Sequence, residues 1–232
     1  MGRFLLVDDN AALGENLAEI LRDAGHEVSL ALTGKEGLEL LFRTRYDALI
    51  TDMRMPVMSG AQLLMGMRAI DPGMPAIVIT AYTADDEMQT ARDQGLLAVL
   101  PKPVPVARLI ELLRVARRDG LVALVEDDPA LADNLAEALR DRGFSTIAAR
   151  SLVETERMRC LQPFVALVDM RLPGSSDGAA LRGLSAMFPK LPLLATTAFA
   201  DAVPQGSDVP VFQKPFSTAE LLSAVERLHG KA

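Results

Sequence analysis

Two sets of acidic, hydroxyl and basic residues occur in the same order in this chain, one in each half. Each set consists of an acidic pair, a single Asp after an apolar run, a Thr and a Lys-Pro pair. The members are Asp8, Asp9, Asp52, Thr80 and Lys102-Pro103, then Glu126, Asp127, Asp169, Thr197 and Lys214-Pro215. Carboxylates gathered at one place repel each other unless a cation lies between them. Because Mg²⁺ prefers oxygen ligands and binds phosphoryl oxygens, each set predicts a magnesium site that handles phosphoryl groups.

Each predicted site also contains a nucleophile, because a carboxylate can attack phosphorus and form an acyl phosphate. We predict that Asp52 attacks, that Lys102 pairs with a phosphoryl oxygen, and that Thr80 donates a hydroxyl hydrogen bond. Asp9 and Asp52 are expected to bind the metal directly, and Asp8 through water. In the second half the same roles fall to Asp169, Lys214 and Thr197, with Glu126 and Asp127 as the metal pair.

The surrounding sequence is repeated as well. Residues Asn16-Leu17-Ala18-Glu19 return as Asn134-Leu135-Ala136-Glu137. A repeat of this length indicates duplicated architecture. The 232 residues therefore divide into two domains, which we place at residues 1–118 and 120–232. Each half is large enough to bury a core of its own.

Short apolar runs alternate with segments of helical periodicity along the first half. We expect strands at residues 4–7, 28–31, 48–51, 76–79 and 98–100, and helices at 13–21, 35–42, 60–70, 85–94 and 104–118. This alternation predicts an α/β fold in which each domain is a doubly wound, five-stranded parallel sheet, because parallel strands need crossover helices. Such sheets carry ligands at the carboxyl ends of their strands, where both sets of polar residues fall.

The second half is shorter in one place. Thr80 and Lys102 are 22 positions apart, whereas Thr197 and Lys214 are 17 apart. The intervening stretch contains Pro204 and Gly206 and has no apolar period. We therefore expect the fourth helix of the second domain to be shortened or missing.

Composition excludes several classes of protein. Cys160 is the only cysteine, so neither an intramolecular disulfide nor a cysteine metal cluster is possible. No apolar run is long enough to cross a membrane, and acidic residues begin too early for a signal peptide, so we expect a cytoplasmic protein. A formal net charge of −7 argues against nucleic-acid and membrane binding.

Both halves resemble the receiver domain of two-component response regulators, on the ordered set of acidic pair, Asp, Thr and Lys-Pro. The resemblance implies a flavodoxin-like (βα)5 fold and phosphoryl transfer to Asp52 and Asp169 from a histidine kinase or phosphotransfer protein. It also implies that the backbone carbonyls of Arg54 and Arg171 complete the two metal sites. Many members carry an aromatic residue three positions before the Lys, where this chain has Val99 and Val211. Tyr82 and Phe199 are the aromatic residues near enough to substitute, and we expect a small conformational response in the second domain.

We expect a signalling protein of two receiver domains without an output domain, which is not an enzyme and acts as a relay intermediate, a phosphate sink or an adaptor for a downstream target protein. The oligomeric state is open, and we favour a monomer. One alternative is the receiver part of a longer regulator with a DNA-binding or cyclic-nucleotide effector domain. Another is a phosphatase with an Asp nucleophile, which requires an Asp-x-Asp pattern where this chain has adjacent Asp8 and Asp9.

Overall fold

The computed structural model describes residues 1–81, 86–173, 178–198 and 209–230. The chain divides into two compact units. The first comprises Met1–Asp119 together with Arg142–Ser145, and the second comprises Gly120–Asp141 together with Thr146–Ala232.

The first unit alternates strands and helices in the expected order. Its elements are β1 (Arg3–Val7), α1 (Ala11–Asp23), β2 (Glu27–Ala31), α2 (Gly34–Arg43), β3 (Ala48–Asp52), α3 (Gly60–Ile70), β4 (Ala76–Thr80), α4 (Asp86–Arg92), β5 (Ala98–Pro101) and α5 (Val106–Val115). The strands form one parallel sheet in the order β2-β1-β3-β4-β5. The predicted flavodoxin-like fold is confirmed.

The second sheet has the same strand order. Its elements are β6 (Leu121–Val125), α6 (Pro129–Asp141), β7 (Ser145–Ala149), α7 (Leu152–Thr155), a 3-10 helix (Glu156–Cys160), β8 (Val165–Asp169), α8 (Ala179–Met187), β9 (Leu193–Thr197), β10 (Val211–Gln213) and α9 (Thr218–His229). These strands lie in the order β10-β9-β8-β6-β7. The stretch in which we predict a shortened fourth helix, residues 200–208, lies outside the described residues.

The cores explain why the strands read as continuous apolar runs. Every residue of β3, β4, β6, β8 and β9 is buried. A parallel sheet covered by helices on both faces requires this pattern, because neither face meets water. The polar residues at the ends of these strands are therefore held by a rigid, buried framework.

Two helices differ from the sequence-based expectation. We predict that the fifth helix reaches residue 118, but α5 ends at Val115, and Ala116 is extended at φ −50° and ψ 129°. Arg118 instead donates a hydrogen bond to the Tyr46 carbonyl and forms a 2.6 Å ion pair with Asp71. In the second unit the counterpart of α2 is one short α-helix followed by a 3-10 helix.

Arg68 of α3 holds two turns of the first unit together. Its Nε donates to the Gln94 carbonyl at 2.7 Å, and its Nη2 donates to the Gly95 carbonyl at 2.6 Å. Its Nη1 donates to the carbonyls of Pro72 and Met74, both at 2.7 Å. Burial lowers the pKa of Arg68 to about 10, so the guanidinium stays charged at neutral pH. The charge is stabilised by backbone dipoles.

Candidate functional site

The β1–α1 and β3–α3 loops bring two carboxylates to one edge of the first sheet. Asp8 follows β1 directly, and Asp52 is the last residue of β3, the strand that pairs with β1. The connections from β1 and β3 leave in opposite directions along the sheet, and this switch point is where such sheets bind ligands. Asp8 and Asp52 are 3% and 8% exposed, so both carboxylates are largely withdrawn from water.

The start of α1 fixes the position of the acidic pair. The Asn10 side chain accepts a hydrogen bond from the Leu13 N–H, which caps the helix. The Asn10 N–H in turn donates to Asp8 Oδ1 at 2.9 Å. In the second unit Asp128 caps α6 through the N–H of Ala130, and its own N–H donates to Glu126 at 3.3 Å. The sequence analysis missed both capping residues, although an Asn or Asp before a helical period is a recognisable N-cap signal.

Lys102 supplies the positive charge of the first site. It follows β5, and its Nζ lies 2.7 Å from Oδ2 of Asp52 and 3.2 Å from Oδ2 of Asp8. Burial opposes the charged ammonium, but hydrogen bonds and charge attraction from Asp52 and Asp8 outweigh it and raise the pKa of Lys102. The ammonium is therefore present at any physiological pH.

Asp9 completes a group of three carboxylates. Asp8, Asp9 and Asp52 each offer an oxygen, and these oxygens lie within 4.8 Å of one another. Burial raises the pKa of the Asp8 carboxyl, although the Asn10 N–H and the Lys102 ammonium favour its ionised form. A set made only of oxygen donors, two of them withdrawn from water, fits a hard divalent cation.

The second unit repeats this arrangement with one longer side chain. Glu126, Asp127 and Asp169 also offer oxygens within 4.8 Å of one another. Lys214 Nζ lies 2.6 Å from Oδ2 of Asp169 and 2.7 Å from Oε2 of Glu126. Burial raises the pKa of Glu126, and the nearby charge of Asp169 adds to that effect against the hydrogen bond from Lys214. Hydrogen bonds to Asp169 and Glu126 raise the pKa of Lys214 despite its burial.

The two threonines and two arginines of the predicted sites lie beside these groups. Thr80 and Thr197 end β4 and β9, and each is 1% exposed. Their carbonyls accept the N–H groups of Lys102 at 2.9 Å and Lys214 at 2.7 Å, which fixes where each lysine leaves the sheet. Arg54 and Arg171 follow the central aspartates by two residues, and the Arg171 N–H donates to Asp169 Oδ1 at 2.8 Å. Tyr82 and Phe199 lie outside the described residues.

Comparison with known proteins agrees with this geometry. The model of the response regulator receiver domain matches residues 4–114. A response regulator receiver protein of Anaeromyxobacter sp. strain Fw109-5 is 58% identical over 229 residues, which cover 99% of this chain and 96% of the relative. The response regulator MprA of Mycobacterium ulcerans is 32% identical over 169 residues, or 72% of this chain and 71% of that protein.

Among solved structures, a CheY-like receiver domain protein from Methanospirillum hungatei JF-1 superposes with a TM-score of 0.48 and 31% identity, covering 49% of this chain and 91% of that one. The sites and the full-length relative identify the class as signalling proteins built on receiver domains. This chain belongs to the response regulator receiver family. Among the described residues, no helix is both long and apolar enough to cross a membrane.

Proposed function

We propose that both units of this chain accept a phosphoryl group, on Asp52 in the first and on Asp169 in the second, from a histidine kinase or phosphotransfer protein. The observation that carries this proposal is the same in both units. A lysine ammonium lies within hydrogen-bond distance of the carboxylate that ends the third strand, at 2.7 Å for Asp52 and 2.6 Å for Asp169.

The transfer is a displacement at phosphorus. A carboxylate oxygen of Asp52 forms the new P–O bond while the P–N bond of the donor phosphohistidine breaks, and the electron pair leaves with the imidazole. Lys102 pairs with a phosphoryl oxygen and offsets the charge brought next to Asp8. Thr80 donates its hydroxyl hydrogen to another phosphoryl oxygen. In the second unit Lys214 and Thr197 act in the same way on Asp169.

The oxygen donors fit Mg²⁺. In the first unit Asp8, Asp9, Asp52 and the Arg54 carbonyl would hold it, and the donors in the second are Glu126, Asp127, Asp169 and the Arg171 carbonyl. When bound, the ion neutralises negative charge on the transferred phosphoryl group. Asp8 and Glu126 keep the lysine beside the attacking carboxylate through their own ion pairs.

In this proposal the protein is a phosphoacceptor rather than an enzyme acting on a separate substrate. It works in the cytoplasm, and its phosphorylated units act through contact with other proteins, as a relay intermediate, a phosphate sink or an adaptor. A chain of net charge −7 suits partners with basic surfaces.

Intact mass after treatment with acetyl phosphate and Mg²⁺ tests the proposal. The wild type should gain two phosphoryl groups, Asp52→Ala and Asp169→Ala one each, and the double variant none. Asp133→Ala removes an exposed carboxylate of α6 and should still gain two. A wild type that gains none, or a double variant that still gains one, would overturn the proposal.

A further inference from the structure

Four exposed positions on α1 recur unchanged on α6. Counted from the acidic pair, each position of α1 corresponds to the position 118 residues later. Spacings of four, three and four residues place the four positions along one face of each helix. The corresponding exposed pairs are Ala12 and Ala130, Asn16 and Asn134, Glu19 and Glu137, and Asp23 and Asp141. We call these four positions the helix-1 stripe.

Core packing does not account for the stripe. Leu17, Ala18 and Leu21 also recur on α6, but they are buried and their repetition follows from the shared fold. Residues of the stripe face water, where substitution changes stability little. Beside the stripe the sequences differ, because exposed Ala11 corresponds to Pro129.

The fifth helices show the opposite behaviour. Aligned on Lys102-Pro103 and Lys214-Pro215, α5 and α9 differ in charge sign at solvent-accessible positions. Arg108 corresponds to Glu220, and Arg114 corresponds to Glu226. The surface of one helix has been kept while that of another has been inverted within the same pair of units. A requirement shared by both units therefore acts on the helix-1 stripe and not on the fifth helix.

The stripe begins beside the phosphoacceptor site. α1 starts at Ala11, two residues after Asp9, and α6 starts at Pro129, two residues after Asp127. From Ala12 to Asp23 the stripe runs for about 16 Å at the rise of an α-helix. A protein lying along the stripe would therefore reach the carboxylates at its end.

We propose that the helix-1 stripes of both units bind one and the same phosphoryl donor protein, through a basic surface on that donor. This inference rests on the proposed function. Each stripe carries two carboxylates and an Asn amide, and a further exposed carboxylate, Glu15 or Asp133, flanks it. Complementary charge on the donor speeds encounter and rejects other acidic proteins. The two units thus compete for one donor and present different fifth-helix surfaces to whatever follows.

The test uses the histidine kinases and phosphotransfer proteins encoded in the source genome, each purified and radiolabelled on its histidine. Transfer is measured to full-length Asp169→Ala, which reports Asp52, and to Asp52→Ala, which reports Asp169. A donor that labels one acceptor should label the other. Glu19→Arg should slow transfer to Asp52, and Glu137→Arg transfer to Asp169, each at least ~10-fold and less so at high salt. Arg108→Glu, a charge reversal on α5, should leave both rates unchanged.

Acetyl phosphate separates the two levels of the argument. If it labels neither Asp, the proposed function itself fails. If it labels both at wild-type rates in the Glu19→Arg and Glu137→Arg variants, those variants are folded and the donor assay reports docking. The shared-donor inference is then overturned by donors that label only one acceptor, by the absence of any donor for either, or by transfer rates that ignore the charge reversals.

Discussion

Lys102 Nζ lies 2.7 Å from Asp52 Oδ2, although the two residues are 50 positions apart in the chain. Lys214 and Asp169, 45 positions apart, repeat this contact at 2.6 Å. In each unit the fold places a permanent cation beside the carboxylate that ends the third strand. The contact holds the lysine where a phosphoryl group on that carboxylate would need it.

Removing this cation should slow phosphorylation of one unit only. Lys102→Met leaves Asp8, Asp9 and Asp52 without their lysine partner, and the loss of one preorganised charge contact typically slows such a step about 100-fold. The rate of labelling of Asp52 by acetyl phosphate should fall by that order, with Asp169 unaffected. Lys35→Met, on the exposed face of α2, serves as the control. An unchanged rate at Asp52 would remove Lys102 from the proposed reaction.

Asp8 should weaken the folded state at neutral pH when no divalent cation is present. Its pKa is raised on folding, chiefly by burial, so the folded state holds its proton to higher pH than the unfolded state. The free energy of unfolding therefore falls as pH rises from the ordinary carboxyl pKa through the raised one. Asp8→Asn lacks this loss, and its side-chain oxygen can still accept the Asn10 N–H.

Thermal unfolding in chelator across pH measures this effect. Asp8→Asn should melt a few degrees above the wild type at neutral pH, and the difference should vanish in acid, where Asp8 is protonated in both states. Added Mg²⁺ should stabilise the wild type more than the variant. A variant that melts below the wild type at neutral pH would contradict the assignment.

Arg68 should be among the most sensitive positions of the first unit. Arg68→Ala leaves four buried carbonyl acceptors without their donors, and the expected loss is about 3–5 kcal/mol in the free energy of unfolding. Arg68→Lys keeps the charge but not the fork of donors, and should lie between alanine and wild type. Arg92→Ala, exposed on α4, should change stability by less than about 0.5 kcal/mol.

Hydrogen exchange separates the two units in that experiment. Faster exchange in Arg68→Ala should appear in β4 and β5 and not in β8 and β9. Uniform loss of protection in both sheets, or none in either, would refute the role given to Arg68.

The second unit should respond little to phosphorylation beyond its site. Val99 and Val211 pack against the cores of their units, where many family members place an aromatic residue. A full change from 1:99 to 99:1 between two conformers needs about 5.5 kcal/mol of differential stabilisation. With beryllofluoride as a phosphoryl analogue, NMR signals next to Asp169 should shift while those of residues 209–212 change little. A large shift at 209–212 would refute this.

The flavodoxin-like fold could be predicted because its signal is local and repeated. Each buried strand is a short apolar run, and each outer helix has an apolar period, so β3 and α3 are recognisable without tertiary information. The grouping of Asp8, Asp52 and Lys102 then follows, because the carboxyl ends of parallel strands share one edge of the sheet. The distances between them needed the structure.

Features set by tertiary contacts could not be predicted in this way. The residues after Val115 have good helix propensity, but Arg118 pairs with Asp71 and α5 ends early. In the counterpart of α2, the Thr155 hydroxyl donates to the Leu152 carbonyl at 2.6 Å, a local bond that competes with regular helix. Arg68 looks like any solvated helical arginine until its four carbonyl partners are placed around it.

Reductive trapping of the acyl phosphate tests most directly whether both units are phosphoacceptors. After treatment with acetyl phosphate and Mg²⁺, sodium borohydride reduces an aspartyl phosphate to homoserine, and peptide mass spectrometry locates it. We predict homoserine at positions 52 and 169 and at no other aspartate. Homoserine at another aspartate, or its absence from either position, would contradict the assignment of two working receiver sites.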